Sequence, residues 1–126
     1  MAEEKIKILL IEDDRFLSEM YATKLTESGF IVETAFNGEE GLAKAENIKP
    51  KLVLLDIVLP KKDGFEVLAA LKEKGFLKDM KIIALTNLGQ KEEVEKGMSL
   101  GASDYIIKAH FTPTEVAAKV KKILGI

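Results

Sequence analysis

Four apolar runs, each too short for a helix of ordinary length, end in polar chemistry. Ile8-Leu9-Leu10-Ile11 runs into Glu12-Asp13-Asp14, Leu52-Val53-Leu54-Leu55 ends at Asp56, Ile82-Ile83-Ala84-Leu85 ends at Thr86, and Tyr105-Ile106-Ile107 ends at Lys108. A strand that is apolar at every position, such as 52–55, is buried on both faces, and a sheet covered on both faces is built from parallel strands. Longer amphipathic segments separate the runs. The pattern predicts strands near 6–11, 31–35, 51–56, 81–86 and 104–107 and helices near 14–28, 38–47, 64–74, 90–99 and 113–124. Five βα units in succession imply right-handed crossovers and an α/β, doubly wound parallel sheet.

The helical segments carry their own punctuation. Leu17, Met20, Tyr21 and Leu25 lie on one face of the first, and Val116, Val120, Ile123 and Leu124 on one face of the last. Gly29 and Gly75 stand where helix C-caps are expected, Asn37-Gly38 and Asp63-Gly64 read as turns before helices, and Thr112-Pro113 reads as N-cap then N1. Gly97 weakens the fourth helix, since an interior glycine costs about 1 kcal/mol against alanine, and makes it the loosest expected element.

With 126 residues, 47% of them hydrophobic, the chain has the size and apolar content of one domain, residues 1–126, with no room for a separate output domain. Its 21 acids and 19 bases give a net charge of −2, and the lysines are scattered, which argues against a direct nucleic-acid partner. Without cysteine there is neither a disulfide framework nor a thiolate metal site. The apolar run after the charged N-terminus is too short for a signal peptide or a membrane span, so a soluble, cytoplasmic protein with no membrane partner is expected.

Parallel sheets bind ligands beyond the carboxyl ends of their strands, where strand order reverses. Glu12, Asp13, Asp56, Thr86 and Lys108 are all predicted to lie on that edge. Crowded carboxylates repel one another, and a divalent cation relieves the repulsion. Oxygen ligands without cysteine or a nearby histidine favour Mg²⁺, or Mn²⁺, over zinc. Such a set suits phosphoryl chemistry: Lys108 neutralises charge on the transferring group, Thr86 offers a hydroxyl, and Asp56, alone at the centre of the edge, is the choice of nucleophile.

The string Asp56-Ile57-Val58-Leu59-Pro60-Lys61-Lys62-Asp63-Gly64 resembles the phosphoacceptor signature of the receiver domains of two-component response regulators. Glu12-Asp13 resembles that family's acid pair, Thr86 its switch hydroxyl, Lys108 its lysine and Tyr105 its rotating aromatic. The resemblance implies a flavodoxin-like (βα)5 fold with strand order 2-1-3-4-5. It implies that Asp56 takes a phosphoryl group from a sensor histidine kinase or phosphotransfer protein. Asp13, Asp56 and the Val58 carbonyl would hold Mg²⁺, with Glu12 acting mostly through water on the ion. Asp14 then falls to a helix N-cap beside the site. Phosphorylation would draw Thr86 toward the phosphate and Tyr105 inward, altering a surface of helix 4, strand 5 and helix 5 that a downstream effector protein reads. A monomer or a weak phosphorylation-dependent dimer is implied, and no enzymatic activity beyond the domain's own phosphorylation and dephosphorylation.

Three departures stand out. The family lysine is usually followed by proline, commonly through a cis peptide, whereas Lys108 precedes Ala109; a cis bond here would cost about 2.5–4 kcal/mol, so a trans or strained peptide is expected. Asn87 replaces a usually small residue after the switch hydroxyl and is expected to narrow access to Asp56. Val58 and Leu88 are apolar where some relatives place groups that orient attacking water, which predicts slow hydrolysis. His110, Asp63, Asp104 and the charged run 91–96 read as loop, cap or solvated-face residues.

Rival functions follow from the same residues. A haloacid-dehalogenase-type phosphatase needs a second acid two positions after the nucleophile, where Val58 stands. A nucleotide- or flavin-binding domain needs a glycine-rich loop where Glu12-Asp13 stand. A pseudo-receiver acting only as an interaction module would not need the full set of acids, hydroxyl and lysine.

Overall fold

The computed structural model describes residues 5–87 and 90–126. All ten predicted elements are present: β1 (Lys7–Ile11), α1 (Arg15–Glu27), β2 (Ile31–Ala35), α2 (Gly38–Ile48), β3 (Leu52–Asp56), α3 (Gly64–Glu73), β4 (Lys81–Thr86), α4 (Lys91–Ser99), β5 (Asp104–Ile107) and α5 (Pro113–Leu124). Short 3-10 turns occupy Phe76–Lys78 and Lys108–His110. The strands form one parallel sheet in the order β2-β1-β3-β4-β5.

Strand periodicity divides the core into two layers. Ile8, Leu10, Leu52, Leu54, Ile83, Leu85 and Ile106 face α1 and α5, meeting Tyr21, Leu25, Val116 and Val120. Leu9, Ile11, Val53, Leu55 and Ile82 face the other way, against Ala45, Val67, Leu68 and Leu71. The continuous apolar run of β3 is buried at every position because both faces are covered, as expected for a central parallel strand. Among the described residues no helix is long and apolar enough to cross a membrane.

Helix starts follow local side-chain chemistry. Asp14, Asn37, Asp63 and Thr112 each accept a hydrogen bond from a backbone N–H in the first turn, and Thr112 with Glu115 completes a capping box ahead of Pro113. Gly29 and Gly75 adopt positive φ just past α1 and α3. Two readings needed adjustment. Met20 faces a groove beside Phe16 and Pro113 rather than the core, and Ser18 is buried instead. Asp104 opens β5 and pairs with Lys119 at 3.1 Å.

In α4 the only described buried residue is Gly97, and the space it leaves is used: a Cβ there would lie 3.3 Å from the Tyr105 ring. Gly38 is more tightly constrained, since a Cβ would stand 1.7 Å from the carbonyl oxygen of Lys62. Backbone cannot yield as a flexible side chain can. Gly38→Ala is therefore expected to destabilise the fold by about 1–3 kcal/mol, read as a lower urea midpoint at unchanged slope.

Candidate phosphoacceptor site

Because all five strands run the same way, their carboxyl ends share one edge, and the chemistry-bearing residues collect there. Glu12 directly follows β1, Asp56 ends β3, Thr86 ends β4 and Lys108 follows β5. The loop after Asp56 is held close: Gly64 N–H donates to the Ile57 carbonyl at 2.8 Å, and a Cβ at Gly64 would lie 2.3 Å from the Asp56 carbonyl. The start of α3 thus presses against the strand end that carries Asp56.

Glu12, Asp13, Asp14, Leu17, Asp56, Val58, Asn87 and Lys108 line a cavity of about 310 Å³. Within it, carboxylate oxygens of Glu12, Asp13 and Asp56 lie within 4.8 Å of one another. Glu12 and Asp56 are buried and Asp13 is exposed. Lys108 Nζ sits between the two buried acids, 2.5 Å from Glu12 Oε1 and 2.9 Å from Asp56 Oδ2. The backbone supplies two further donors: Val58 N–H to Asp56 Oδ1 at 3.1 Å, and Asp14 N–H to Glu12 Oε2 at 3.1 Å.

Electrostatics follow from this crowding. Burial raises the Glu12 carboxyl above its usual range, opposed by the hydrogen bond from Lys108 and reinforced by the charge of Asp56. For Lys108, burial pulls the ammonium down, but hydrogen bonds to Glu12 and Asp56, with their charges, outweigh it and leave its pKa raised. Burial also raises Tyr105, with the charge of Glu93 adding to it and a hydrogen bond with Thr86 opposing it.

Five of the expected site residues, Glu12, Asp13, Asp56, Val58 and Lys108, meet around the cavity. Thr86 is buried at the end of β4 and pairs with half-buried Tyr105 beside Gly97 of α4. Asn87 is among the residues lining the cavity, while Leu88 lies outside the described residues. No cis peptide occurs among the described residues, so the bond from Lys108 to Ala109 is trans and still delivers Nζ to Asp56. Leu17 and Tyr21 were not expected near the site. Leu17 forms part of its wall, and buried Tyr21 senses the charges of Lys108, Glu12 and Asp56 from the core side. Their place on the buried face of the helix next to the acid pair is the only signal the sequence holds for this.

Residues 8–121 match the response regulator receiver domain. The chain belongs to that family. Curated relatives of the receiver include the alkaline phosphatase synthesis transcriptional regulatory protein PhoP of Bacillus subtilis, 42% identical over 94% of this chain and 48% of that one. Overall the receiver spans about half the length of the curated relatives it matches. Among solved structures, the BeF3-activated DrrB receiver domain superposes with a TM-score of 0.85 at 33% identity, covering 98% of this chain and 100% of that one. The CheX–CheY–BeF3–Mg²⁺ complex from Borrelia burgdorferi gives 0.86 at 29% identity, covering 94% and 89%.

Removing Lys108 would leave two buried carboxylates facing each other. Lys108→Met is expected to cost about 3–5 kcal/mol at neutral pH, the range for breaking one side of a buried pair. The sign with pH is fixed by Glu12: its raised folded-state value means that protonation favours the fold, so stability from that proton is present in acid and lost as pH rises past the usual carboxylate value. Without Lys108 the carboxyl rises further, so urea titrations should show the deficit of the variant shrinking as the pH is lowered toward about 5.

Proposed function

We propose that Asp56 accepts a phosphoryl group from a phosphohistidine on a sensor kinase or phosphotransfer protein. The observation that carries this reading is the Lys108 ammonium held 2.9 Å from one oxygen of a strand-end aspartate inside a three-carboxylate cluster. In the transfer an Asp56 oxygen attacks phosphorus, the P–N bond breaks, and the imidazole keeps the bonding pair and takes up a proton. Lys108 then balances charge on the phosphoryl oxygens, and Thr86 offers its hydroxyl to them.

The donor set suits a hard divalent cation. Asp13 and Asp56 with the Val58 carbonyl would hold Mg²⁺, or Mn²⁺, with Glu12 engaged through water, because three acids gathered within 4.8 Å supply oxygen ligands only. Bound there, the ion would neutralise charge on the phosphoryl group. The solved Borrelia burgdorferi complex, which contains BeF3 and Mg²⁺, supports the assignment by similarity.

Val58 occupies the position where a phosphatase of related chemistry needs its acid, so the domain would catalyse only its own phosphorylation and dephosphorylation. Val58 is 61% exposed and its side chain gives an attacking water nothing to hydrogen-bond to, which favours a long-lived aspartyl phosphate. On the donor side, Phe16, 71% exposed on α1, and Met20 border a cavity of about 380 Å³ with Pro113, an apolar landing next to the wall formed by Leu17. The output side would be the surface of α4, β5 and α5, reached through the Thr86–Tyr105 pair. A cytoplasmic protein, monomeric or weakly dimeric when phosphorylated, acting on an effector protein, completes the reading.

Incubation with acetyl phosphate and Mg²⁺ should add the mass of one phosphoryl group to wild type and none to Asp56→Asn. A Mg²⁺-independent adduct, or one retained in Asp56→Asn, would overturn the assignment, and steady turnover of phosphate esters would favour a phosphatase. Asn87→Ala should open the mouth of the site and raise both phosphorylation and dephosphorylation rates several-fold. Equal rates in variant and wild type would remove Asn87 from the account.

A further inference from the structure

The opposite edge of the sheet carries a feature that phosphoryl chemistry does not use. Lys5, Lys7, Lys49 and Lys51 surround a cavity of about 490 Å³ lined also by Ile31, Ile48 and Ile6, the last of which packs against the α1/α5 layer of the core. The strand register builds it. Lys7 pairs directly with Ile31, Lys7 and Lys51 each stand one residue before the Ile8–Leu52 pair, and Lys51 N–H donates to the Lys7 carbonyl at 3.0 Å. Their side chains therefore leave the sheet on one face, the face covered by α2, whose last residue is Ile48 and whose C-cap is Lys49.

None of these four ammonium groups has an acidic partner among the described residues. Ordinary structural roles do not account for the set. A lysine at a helix C-terminus complements the helix dipole, which covers Lys49 alone. Lysines also blunt sheet edges, but the edge strands here are β2 and β5, whereas Lys7 lies in β1 and Lys51 leads into β3, both interior. Lys49 holds φ at +48°, where glycine or asparagine meets less steric resistance. A second cavity of about 240 Å³, bordered by Pro50, Phe76 and Met80, continues from Lys49. Asp79 and the Lys74–Glu46 ion pair moderate its charge, so cationic character concentrates in the first cavity.

We propose that this basin binds an acidic peptide segment of a partner protein, with carboxylates over the lysines and apolar side chains against Ile31 and Ile48. A small inorganic anion would leave those side chains uncovered, and a nucleic-acid backbone has no aliphatic group to place on them. The five-residue strands separate the basin from Asp56 by about 15 Å, so it works as a phosphorylation-independent tether, leaving the phosphoacceptor edge free.

The test uses a short fluorescein-labelled peptide of Glu and Asp with two leucines, followed by fluorescence anisotropy. Wild type and Asp56→Asn should bind equally, Lys7→Glu/Lys51→Glu should lose about tenfold or more in affinity, and Lys121→Glu/Lys122→Glu, an equal charge change on exposed α5 positions, should bind like wild type. Thermal melts check folding, and Lys7→Gln/Lys51→Gln repeats the test should the charge-reversed pair unfold. Absence of binding, equal losses in both lysine pairs, or displacement of the peptide by duplex DNA or by phosphatidylserine vesicles at lower concentration would overturn the proposal.

Discussion

The contact on which the site depends is the bridge from Lys108 to Glu12 and Asp56. A parallel sheet brings all its strand ends to one edge, so an acid after β1 and an acid at the end of β3 become neighbours by topology alone. Both are buried, and two desolvated carboxylates side by side oppose folding. An ammonium 2.5 Å from one and 2.9 Å from the other opposes that cost and ties β5 to β1 and β3 across the sheet. A single lysine thus supports the stability of the resting state and, in the proposed reaction, waits beside the phosphorus acceptor. A phosphoryl group on Asp56, if accepted as proposed, would change what Lys108 has to balance, and the site would then act as a lever as well as an acceptor.

Such a lever would have a place to act. Thr86 closes β4, next to the strand that carries Asp56, and its hydroxyl is tied to Tyr105, whose ring packs against the bare Gly97 of α4. A hydroxyl drawn toward Asp56 would leave Tyr105 without that partner, and the ring faces a helix whose other described residues are not buried. A helix held by so little apolar contact moves at low cost. Gly97, read from the sequence as a weakness, is better understood as the space that lets the ring lie where it does.

Much of this was legible in the chain because the signals were local or periodic. The all-apolar run of β3 demanded a sheet covered on both faces, and Asp14, Asn37, Asp63 and Thr112 announced helix starts through hydrogen bonds spanning only three residues. Element ends shifted by a residue where caps rather than apolar pattern decided them, as at Asp14 and Gln90. The acids, Thr86 and Lys108 were readable as a group once the strands were parallel. What stayed hidden depended on orientation around a helix or on register between strands. Met20 shares the apolar spacing of Tyr21 yet faces a groove, Leu17 turns out to wall the site, and the partner of Asp104 sits on a helix fifteen residues away in sequence.

The lysine basin belongs to this last kind. Along the chain the lysines look dispersed, and the reading that they form no strip rests on sequence order. Parallel pairing reorders them: Lys7 and Lys51, forty-four positions apart, become adjacent because β1 and β3 are neighbours, and the turn at Lys49 adds a third charge. The same topology that gathers Glu12, Asp13 and Asp56 at the carboxyl edge therefore gathers Lys7, Lys49 and Lys51 at the amino edge. With a Debye length of about 8 Å at physiological ionic strength and the two edges about 15 Å apart, each edge presents its own charge to a partner largely screened from the other. A cationic surface can then coexist with an edge that gathers three carboxylates within 4.8 Å.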